Sequence, residues 1–177
     1  MHEDIERVLI DEDVIQKRLD VLAAKVTEEF AGRQVVVVAL LKGAILFMAD
    51  LLRRVPLAME IECLNVASYH GGTESSGEVS FLDRDLPDVS GKCVLLLDDI
   101  LDTGRTLDAV LRKLHEQGAA EVKTCVLLTK DIERDFALEA DFSGFVIGDE
   151  FVVGYGLDYR GRYRNLPFVG ILKDTAI

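Results

Sequence analysis

Three short apolar runs constrain the fold more than any other feature of this sequence. They are QVVVVAL at 34–40, KCVLLLDD at 92–99 and VKTCVLLTK at 122–130. The first two are largely continuous in their apolar residues, whereas a strand with one wet face would alternate, and the third predicts another strand. Such runs are typical of strands in parallel sheets that are covered on both faces.

Segments with helical spacing separate these runs. Apolar residues recur every three or four positions over 12–30, 41–55 and 105–117, which predicts three helices. Residues 59–66 predict a further strand with one wet face, and 144–172 predict short strands and turns. We therefore expect an α/β fold with a mostly parallel sheet flanked by helices. Ligands of such sheets bind beyond the carboxyl ends of the strands.

Composition narrows the class of protein. The 177 residues suit one domain, and 32 acidic against 20 basic residues disfavour a broad surface for polyanions. Cys63, Cys93 and Cys125 each lie in an apolar run, so we expect buried, reduced thiols of a cytosolic protein. No apolar run approaches the roughly 18 residues of a membrane span. The acidic start MHEDIERVLI lacks a signal-peptide pattern, so we expect a cytoplasmic location.

The stretch VLLLDDILDTGRTL at 94–107 carries the clearest chemistry. A buried strand ends in Asp98 and Asp99, Asp102 follows, and a turn with Gly104 leads into a helix. The free N–H groups of a helix start suit a phosphate. Carboxylates beside a phosphate would repel it unless they bind sugar hydroxyls, hold a divalent metal or take a proton. A phosphorylated sugar with a metal meets all of these requirements.

Simpler interpretations compete for the same residues. Asp102 could be a helix cap, and Asp98 and Asp99 could be solvated loop acids. A receiver domain also uses an acidic pair, a threonine and a lysine, and Thr129 and Lys130 superficially fit that pattern. Receivers carry their acidic pair after an early strand, whereas almost 100 residues precede it here, which disfavours that interpretation.

The same stretch resembles the phosphoribosyl-diphosphate (PRPP) signature of type I phosphoribosyltransferases. From about Leu9 to Leu172 the chain is similar to the hypoxanthine-guanine members, through LLKGAILFMADL, SYHGGTESSGEV, LLTK and DEFVVGYGLDYRGRYRNLP in that order. The resemblance implies Mg²⁺-dependent transfer of the phosphoribosyl group from PRPP to a 6-oxopurine, giving IMP or GMP and pyrophosphate. It also implies one domain over 1–177, with a lid loop at about 68–78 and a hood mainly from 144–177 with the N-terminal segment.

The resemblance assigns the phosphosugar side of the site. Asp98 and Asp99 would hold the ribose hydroxyls, partly through Mg²⁺, and Asp102 would be the general base near purine N7. The 5′-phosphate loop would comprise Thr103, Gly104, Arg105 and Thr106. The pyrophosphate-binding turn would comprise Leu41, Lys42 and Gly43, with a cis peptide between the first two.

The resemblance also assigns the residues that would contact the base and the leaving group. Lys130 would donate to purine O6, Phe151 would stack on the base, and the backbone of Val152 would meet the purine edge. Asp158 would bind a second Mg²⁺ through water, and Arg164 would contact pyrophosphate. The lid would begin at Ser68 and Tyr69, whereas Arg160 and Arg162 are interpreted as surface residues. A homodimer or homotetramer is expected.

Some positions depart from the family pattern or leave alternatives open. Asp98 stands where glutamate is frequent, Gly148 stands where proline is frequent, and Arg105 stands at a variable position. An acidic pair before DTGRT also occurs in uracil-type relatives that bind RNA, but such a function needs a basic face. Lys130, Phe151 and Val152 favour a 6-oxopurine over adenine, because a lysine donor suits a carbonyl and not an amino group. Hypoxanthine, guanine and xanthine are not distinguished.

Overall fold

The structure, a computed structural model, describes residues 2–68, 79–82, 86–134 and 138–176. Three α-helices and nine strands lie in these residues, besides short 3₁₀ turns at His2–Asp4 and Asp174–Ala176. The helices are α1 Glu12–Glu29, α2 Ile45–Leu52 and α3 Arg105–Glu116. The strands are β1 Ile5–Ile10, β2 Val35–Leu41, β3 Met59–Ser68, β4 Val79–Phe81, β5 Cys93–Leu101, β6 Glu121–Lys130, β7 Phe142–Ile147, β8 Val152–Val153 and β9 Val169–Leu172. None of the described helices is long and apolar enough to cross a membrane.

The larger sheet has six strands in the order β4-β3-β2-β5-β6-β7. All neighbouring strands in it pair in parallel except β3 and β4, which are antiparallel. The carboxyl ends of β2, β5 and β6 therefore lie along one edge of the sheet. The predicted α/β class and the mostly parallel sheet are confirmed.

Both faces of the central strands are buried. In β2, Val35, Val37 and Ala39 pack in one apolar cluster with the buried residues of α1 and α2. The alternate residues Val36 and Val38 pack in a second cluster with the buried residues of α3. This double coverage explains why the strand is apolar at every position.

A second, three-stranded sheet joins the two ends of the chain. Its order is β1-β9-β8, and all of its pairings are antiparallel. It has a small apolar cluster of its own around Val153, Leu166 and Leu172. The Tyr155 hydroxyl donates to Asp50 Oδ2 in α2 at 2.6 Å and links this sheet to the larger layer. β7, which contains the first residues of the segment 144–177, belongs to the larger sheet.

The structure departs from the predicted elements at a few positions. The helix predicted from residue 41 begins at Ile45, because β2 continues through Leu41 and a turn follows. β5 extends to Leu101, and the short β4 was not predicted. The prediction that Cys63 is buried is wrong, because α1 and α2 pack over β2, β5 and β7 and leave this part of β3 exposed. Ile61 in the same strand is 52% exposed for the same reason.

Candidate active site

A cavity of about 290 Å³ opens at the carboxyl ends of β2 and β5. It brings together most of the residues that were predicted to bind the phosphosugar and the pyrophosphate. These are Leu41, Lys42, Gly43, Asp98, Asp99, Asp102, Thr103, Gly104, Thr106, Asp158 and Arg164. Segments that are distant in sequence thus share one wall of polar groups.

The start of α3 forms one end of this cavity. Gly104 is buried and has φ +82°, a left-handed conformation that favours glycine, and α3 begins at the next residue. The positive end of the α3 helix dipole lies at this point and attracts an anion. Thr103 and Thr106 add hydroxyl groups to the same end. Arg105 was predicted in this loop, but its side chain is exposed and does not line the cavity.

Asp98 and Asp99 are neighbouring carboxyl groups in the wall of the cavity. The backbone N–H of Asp99 donates to Asp98 Oδ1 at 3.0 Å. Burial and the neighbouring Asp99 carboxylate raise the pKa of Asp98 well above its ordinary value. Burial also raises the pKa of Asp99, although the positive charge of Arg164 opposes that rise. The pair therefore favours a bound cation, a hydroxyl donor or a proton.

Three chain segments meet closely beside this pair. The peptide bond between Leu41 and Lys42 is cis, as the resemblance predicts. A Cβ atom on Gly43 would lie 1.7 Å from Asp99 Oδ2, and a Cβ atom on Gly156 would lie 2.0 Å from the Gly43 carbonyl oxygen. The turn after β2, the acidic pair and the segment around Gly156 fit together only because both positions lack a side chain.

Arg164 and Asp158, which also line this cavity, form an ion pair. Arg164 Nη2 lies 2.5 Å from Asp158 Oδ1, and its Nη1 donates to the Gly156 carbonyl oxygen at 2.5 Å. The other Asp158 oxygen accepts from the Gly161 N–H at 2.7 Å. The Asp158 carboxylate, predicted to act on Mg²⁺ through water, is therefore already held by protein groups on both oxygens.

The acidic side chains of the site fit one type of divalent-cation site. In the described ranges, no three His, Cys, Asp or Glu side chains form a cluster that could hold a metal. Mg²⁺ does not need such a cage, because it commonly keeps several waters and uses one or two carboxylates together with substrate phosphates. The Asp98 and Asp99 carboxylates, with raised pKa values beside a polar cavity, fit that type of site.

A second cavity of about 210 Å³ adjoins the first. The two share Asp99, Ile100, Asp102 and Asp158 in their walls. The remaining lining residues are Lys130, Glu150, Phe151, Val152 and Leu157. The second cavity therefore combines an apolar wall with an ammonium group, whereas the first is mainly polar.

Phe151 and Val152 form the apolar wall of the second cavity. Val152 is buried, whereas Phe151 is 51% exposed. The ring of Phe151 contacts that of Tyr159 edge to face, with centroids 5.8 Å apart. An exposed aromatic residue beside a cavity can stack on a planar ligand.

Lys130 and Asp102 meet where the two cavities join. Lys130 Nζ lies 3.3 Å from Asp102 Oδ2 and 3.1 Å from Asp149 Oδ1. Partial burial opposes the charge of Lys130, but hydrogen bonds and charges of Asp149 and Asp102 raise its pKa above the ordinary value. Lys130 therefore remains an ammonium donor at neutral pH.

Glu150 and Arg134 were not predicted as site residues. Arg7 Nη2 in β1 lies 3.2 Å from Glu150 Oε1, whereas Glu150 Oε2 is buried without a hydrogen-bond partner. A Cβ atom on Gly148 would lie 2.7 Å from that Oε2, so the departure at Gly148 leaves room for this carboxylate. Arg134 donates to backbone carbonyls of the site. Glu150 lies in the segment DEFVVGYGLDYRGRYRNLP but was given no role there, and Arg134 lies outside the quoted motifs.

The predicted lid falls largely outside the described residues. Ser68 ends β3, where its backbone pairs with Val79 of β4. Tyr69 and the rest of the 68–78 segment lie outside the described residues. Arg160 and Arg162 are exposed, as predicted.

Asp98→Asn should stabilise the folded chain at neutral pH. The folded chain binds a proton at this pair more tightly than the unfolded chain does, so above the ordinary carboxyl pKa the charged pair lowers the free energy of unfolding. Asparagine keeps an oxygen for the Asp99 N–H. We expect a gain of roughly 1 kcal/mol at pH 7 that shrinks as the pH falls towards 4, measured by urea unfolding without divalent cations.

Asp141→Asn is the matched control and should have the opposite effect. Burial alone would raise the pKa of Asp141, but hydrogen bonds from Thr124 and Lys123 hold it below its ordinary value. Its charge therefore stabilises the fold above that pKa, and the substitution should lower the free energy of unfolding at pH 7. An Asp98→Asn variant that is less stable than the unmodified chain at pH 7 would contradict this account of the pair.

Known proteins match this architecture over nearly the whole chain. Residues 10–160 match the family model described as a phosphoribosyl transferase domain. The chain is 42% identical to the hypoxanthine-guanine phosphoribosyltransferase of Streptococcus pneumoniae over 176 residues, which cover 99% of this chain and 98% of that protein. It is 48% identical to the bifunctional protein TilS/HprT of Listeria innocua over 98% of this chain, but it spans only 27% of that longer protein.

A solved structure is similar to this chain in both fold and sequence. The crystal structure of a hypoxanthine phosphoribosyltransferase from Staphylococcus aureus aligns with a TM-score of 0.93 at 42% identity, covering 99% of this chain and 95% of that one. The fold and the sequence identity therefore point to the same family. The chain belongs to the phosphoribosyltransferase family, in the group that contains the hypoxanthine-guanine phosphoribosyltransferases.

Proposed function

We propose that the chain transfers the 5-phosphoribosyl group from PRPP to hypoxanthine or guanine, giving IMP or GMP and pyrophosphate. The observation that carries the proposal is the junction of the two cavities at Asp102 and Lys130. A polar cavity with a helix start suits a sugar phosphate, and an adjoining slot with an aromatic wall and an ammonium donor suits a 6-oxopurine. The names of the Streptococcus and Staphylococcus relatives support the same reaction.

In this proposal the first cavity binds PRPP. The helix start with Thr103, Gly104 and Thr106 holds the 5′-phosphate, and the Leu41–Gly43 turn with Arg164 holds the pyrophosphate. Asp98 and Asp99 bind the ribose hydroxyls and would hold Mg²⁺. When bound, Mg²⁺ neutralises charge that develops on the departing pyrophosphate.

The second cavity binds and orients the base. Phe151 stacks on the purine, the Val152 backbone meets its edge, and Lys130 donates to O6. A purine nitrogen attacks C1 of the ribose while the bond from C1 to the pyrophosphate oxygen breaks. Asp102 accepts the proton that the imidazole ring loses, and the nearby carboxylates stabilise the positive charge that develops on the ribose ring.

Lys130→Met should lower kcat/KM for hypoxanthine by about 10- to 100-fold, because it removes a charged donor to O6. It should also reduce the preference for hypoxanthine over adenine. Steady-state kinetics at saturating PRPP measures both effects. Lys123→Met is the control, since Lys123 lies in the same strand and pairs with Glu121 and Asp141 away from both cavities. Equal hypoxanthine kinetics for the two variants would remove Lys130 from the site.

Binding of the product nucleotides tests the proposal without turnover. Isothermal calorimetry should show IMP or GMP binding at least about tenfold more tightly than UMP, because the nucleotides share the sugar phosphate and differ in the base. Equal affinity for all three would mean that the second cavity does not bind a purine.

A homodimer or homotetramer and a cytoplasmic location are part of the proposal. Light scattering tests the first, and cell fractionation tests the second.

A further inference from the structure

Arg134 contacts two segments of the site at once. Its Nε donates to the carbonyl oxygen of Asp102 at 2.9 Å, and its Nη2 donates to the carbonyl oxygen of Lys130. Arg134 is half-buried and lies four residues beyond the end of β6. Its side chain lines neither cavity, so it acts on these segments from behind.

These contacts close a ring around the junction of the cavities. The backbones of Asp102 and Lys130 are joined through the Arg134 guanidinium. Their side chains are joined directly, with Lys130 Nζ 3.3 Å from Asp102 Oδ2. Asp102 lies in the loop between β5 and α3, where no strand ladder holds its backbone. The guanidinium therefore couples the position of this loop to the end of β6.

The chemistry of arginine suits this role. A guanidinium presents several N–H donors in a fixed plane, so it can hold two carbonyl oxygens in defined directions at the same time. A lysine in its place would be a single flexible ammonium and would not hold the two oxygens in the same geometry.

We propose that Arg134 is a positioning residue that sets the separation between the Asp102 carboxylate and the Lys130 ammonium. The two groups would address different atoms of one purine, so a small change in their separation would weaken recognition of the base in the reacting geometry. The proposal rests on the function proposed above. It predicts that the loss of Arg134 lowers kcat/KM for the base more than it changes KM for PRPP.

The test compares Arg134→Gln and Arg134→Lys with Arg18→Gln. Arg18 is a matched control, because its Nε donates to the Gly144 carbonyl at 2.5 Å and its Nη2 to the Ser143 carbonyl at 3.3 Å, away from both cavities. Each Gln variant therefore loses a guanidinium that holds two backbone carbonyls. Melting temperature, KM for PRPP, and kcat/KM for hypoxanthine and adenine are measured for all of them.

We expect Arg134→Gln to lower kcat/KM for hypoxanthine about tenfold and to reduce the preference over adenine, with KM for PRPP within about twofold of normal. Arg134→Lys should show the same defect to a smaller degree, and it replaces the Gln variant if that variant does not fold. Arg18→Gln should lower the melting temperature and leave the kinetics unchanged.

The outcomes separate the two proposals. Hypoxanthine kinetics and base preference in the folded Arg134 variants that equal those of Arg18→Gln would overturn the positioning role. A weaker KM for PRPP that parallels the loss in kcat/KM for the base would also overturn the positioning role, because it would indicate a general disturbance of the site. If the unmodified chain makes no nucleotide from any purine, the proposed function fails, and the role built on it fails with it.

Discussion

Asp102→Asn should lower kcat by about 100-fold or more while the dissociation constant for PRPP changes by less than about threefold. A positioned general base commonly contributes 10²- to 10⁴-fold to a rate, and asparagine keeps the size of the side chain but cannot accept the proton. The Arg134 contact is to the backbone carbonyl of Asp102, so it survives the substitution. Pre-steady-state kinetics and calorimetry with PRPP measure the two quantities separately.

Asp149→Asn is the control for this prediction. Asp149 also pairs with Lys130 Nζ, at 3.1 Å, but it is largely exposed and lines neither cavity. Both substitutions remove a charge beside the same ammonium group, and only Asp102 faces the proposed substrates. Equal losses in kcat and in PRPP affinity for Asp102→Asn, or equal effects of the two variants, would contradict the general-base assignment.

Gly156→Ala should lower the free energy of unfolding by about 3 kcal/mol and weaken PRPP binding. Gly156 has φ +104°, which is strained for alanine, and the new Cβ would meet the Gly43 carbonyl oxygen at 2.0 Å. Relief of the clash must displace the turn that is proposed to bind pyrophosphate. Urea unfolding measures the first effect, and calorimetry with PRPP measures the second.

Substitutions at two other glycines distinguish the effect of backbone strain from the effect of the clash. Gly161 has φ +77° with nothing within 4 Å of its Cβ position. Gly161→Ala should therefore lower the free energy of unfolding by only about 1 kcal/mol. Gly154 has φ +97°, and its Cβ would meet the Phe168 carbonyl oxygen at 2.1 Å, away from the cavities. Gly154→Ala should therefore destabilise the chain and leave PRPP binding by the folded fraction unchanged. A Gly156→Ala variant as stable as Gly161→Ala would show that the turn is not packed as described.

The central sheet was predictable because its signal is local. Continuous apolar residues in β2 and the helical spacing of α1 and α3 follow from burial on both faces of the sheet, and the structure confirms them. The helix start after Gly104 was predictable because a glycine between a buried strand and a helical pattern marks a turn. The PRPP signature predicted Asp98, Asp99 and Asp102 as site residues from the sequence alone.

The remaining features depend on contacts between distant parts of the chain. Cys63 lies in an apolar pattern, but its exposure depends on where the helices pack. Arg7 and Glu150 are 143 positions apart in sequence and meet only when β1 joins the small sheet. Arg134 contacts backbone carbonyls, which every residue carries, so no sequence pattern identifies its partners. The spacing of residue types along the sequence does not indicate such contacts.

The most direct test of the central claim is an assay with PRPP, Mg²⁺ and five separate bases, with the nucleotide products identified by mass. The bases are hypoxanthine, guanine, xanthine, adenine and uracil. We predict IMP or GMP, little or no product from adenine or uracil, and no product when a chelator removes the metal. No nucleotide from either hypoxanthine or guanine, or product from uracil instead, would contradict the assignment of the second cavity to a 6-oxopurine.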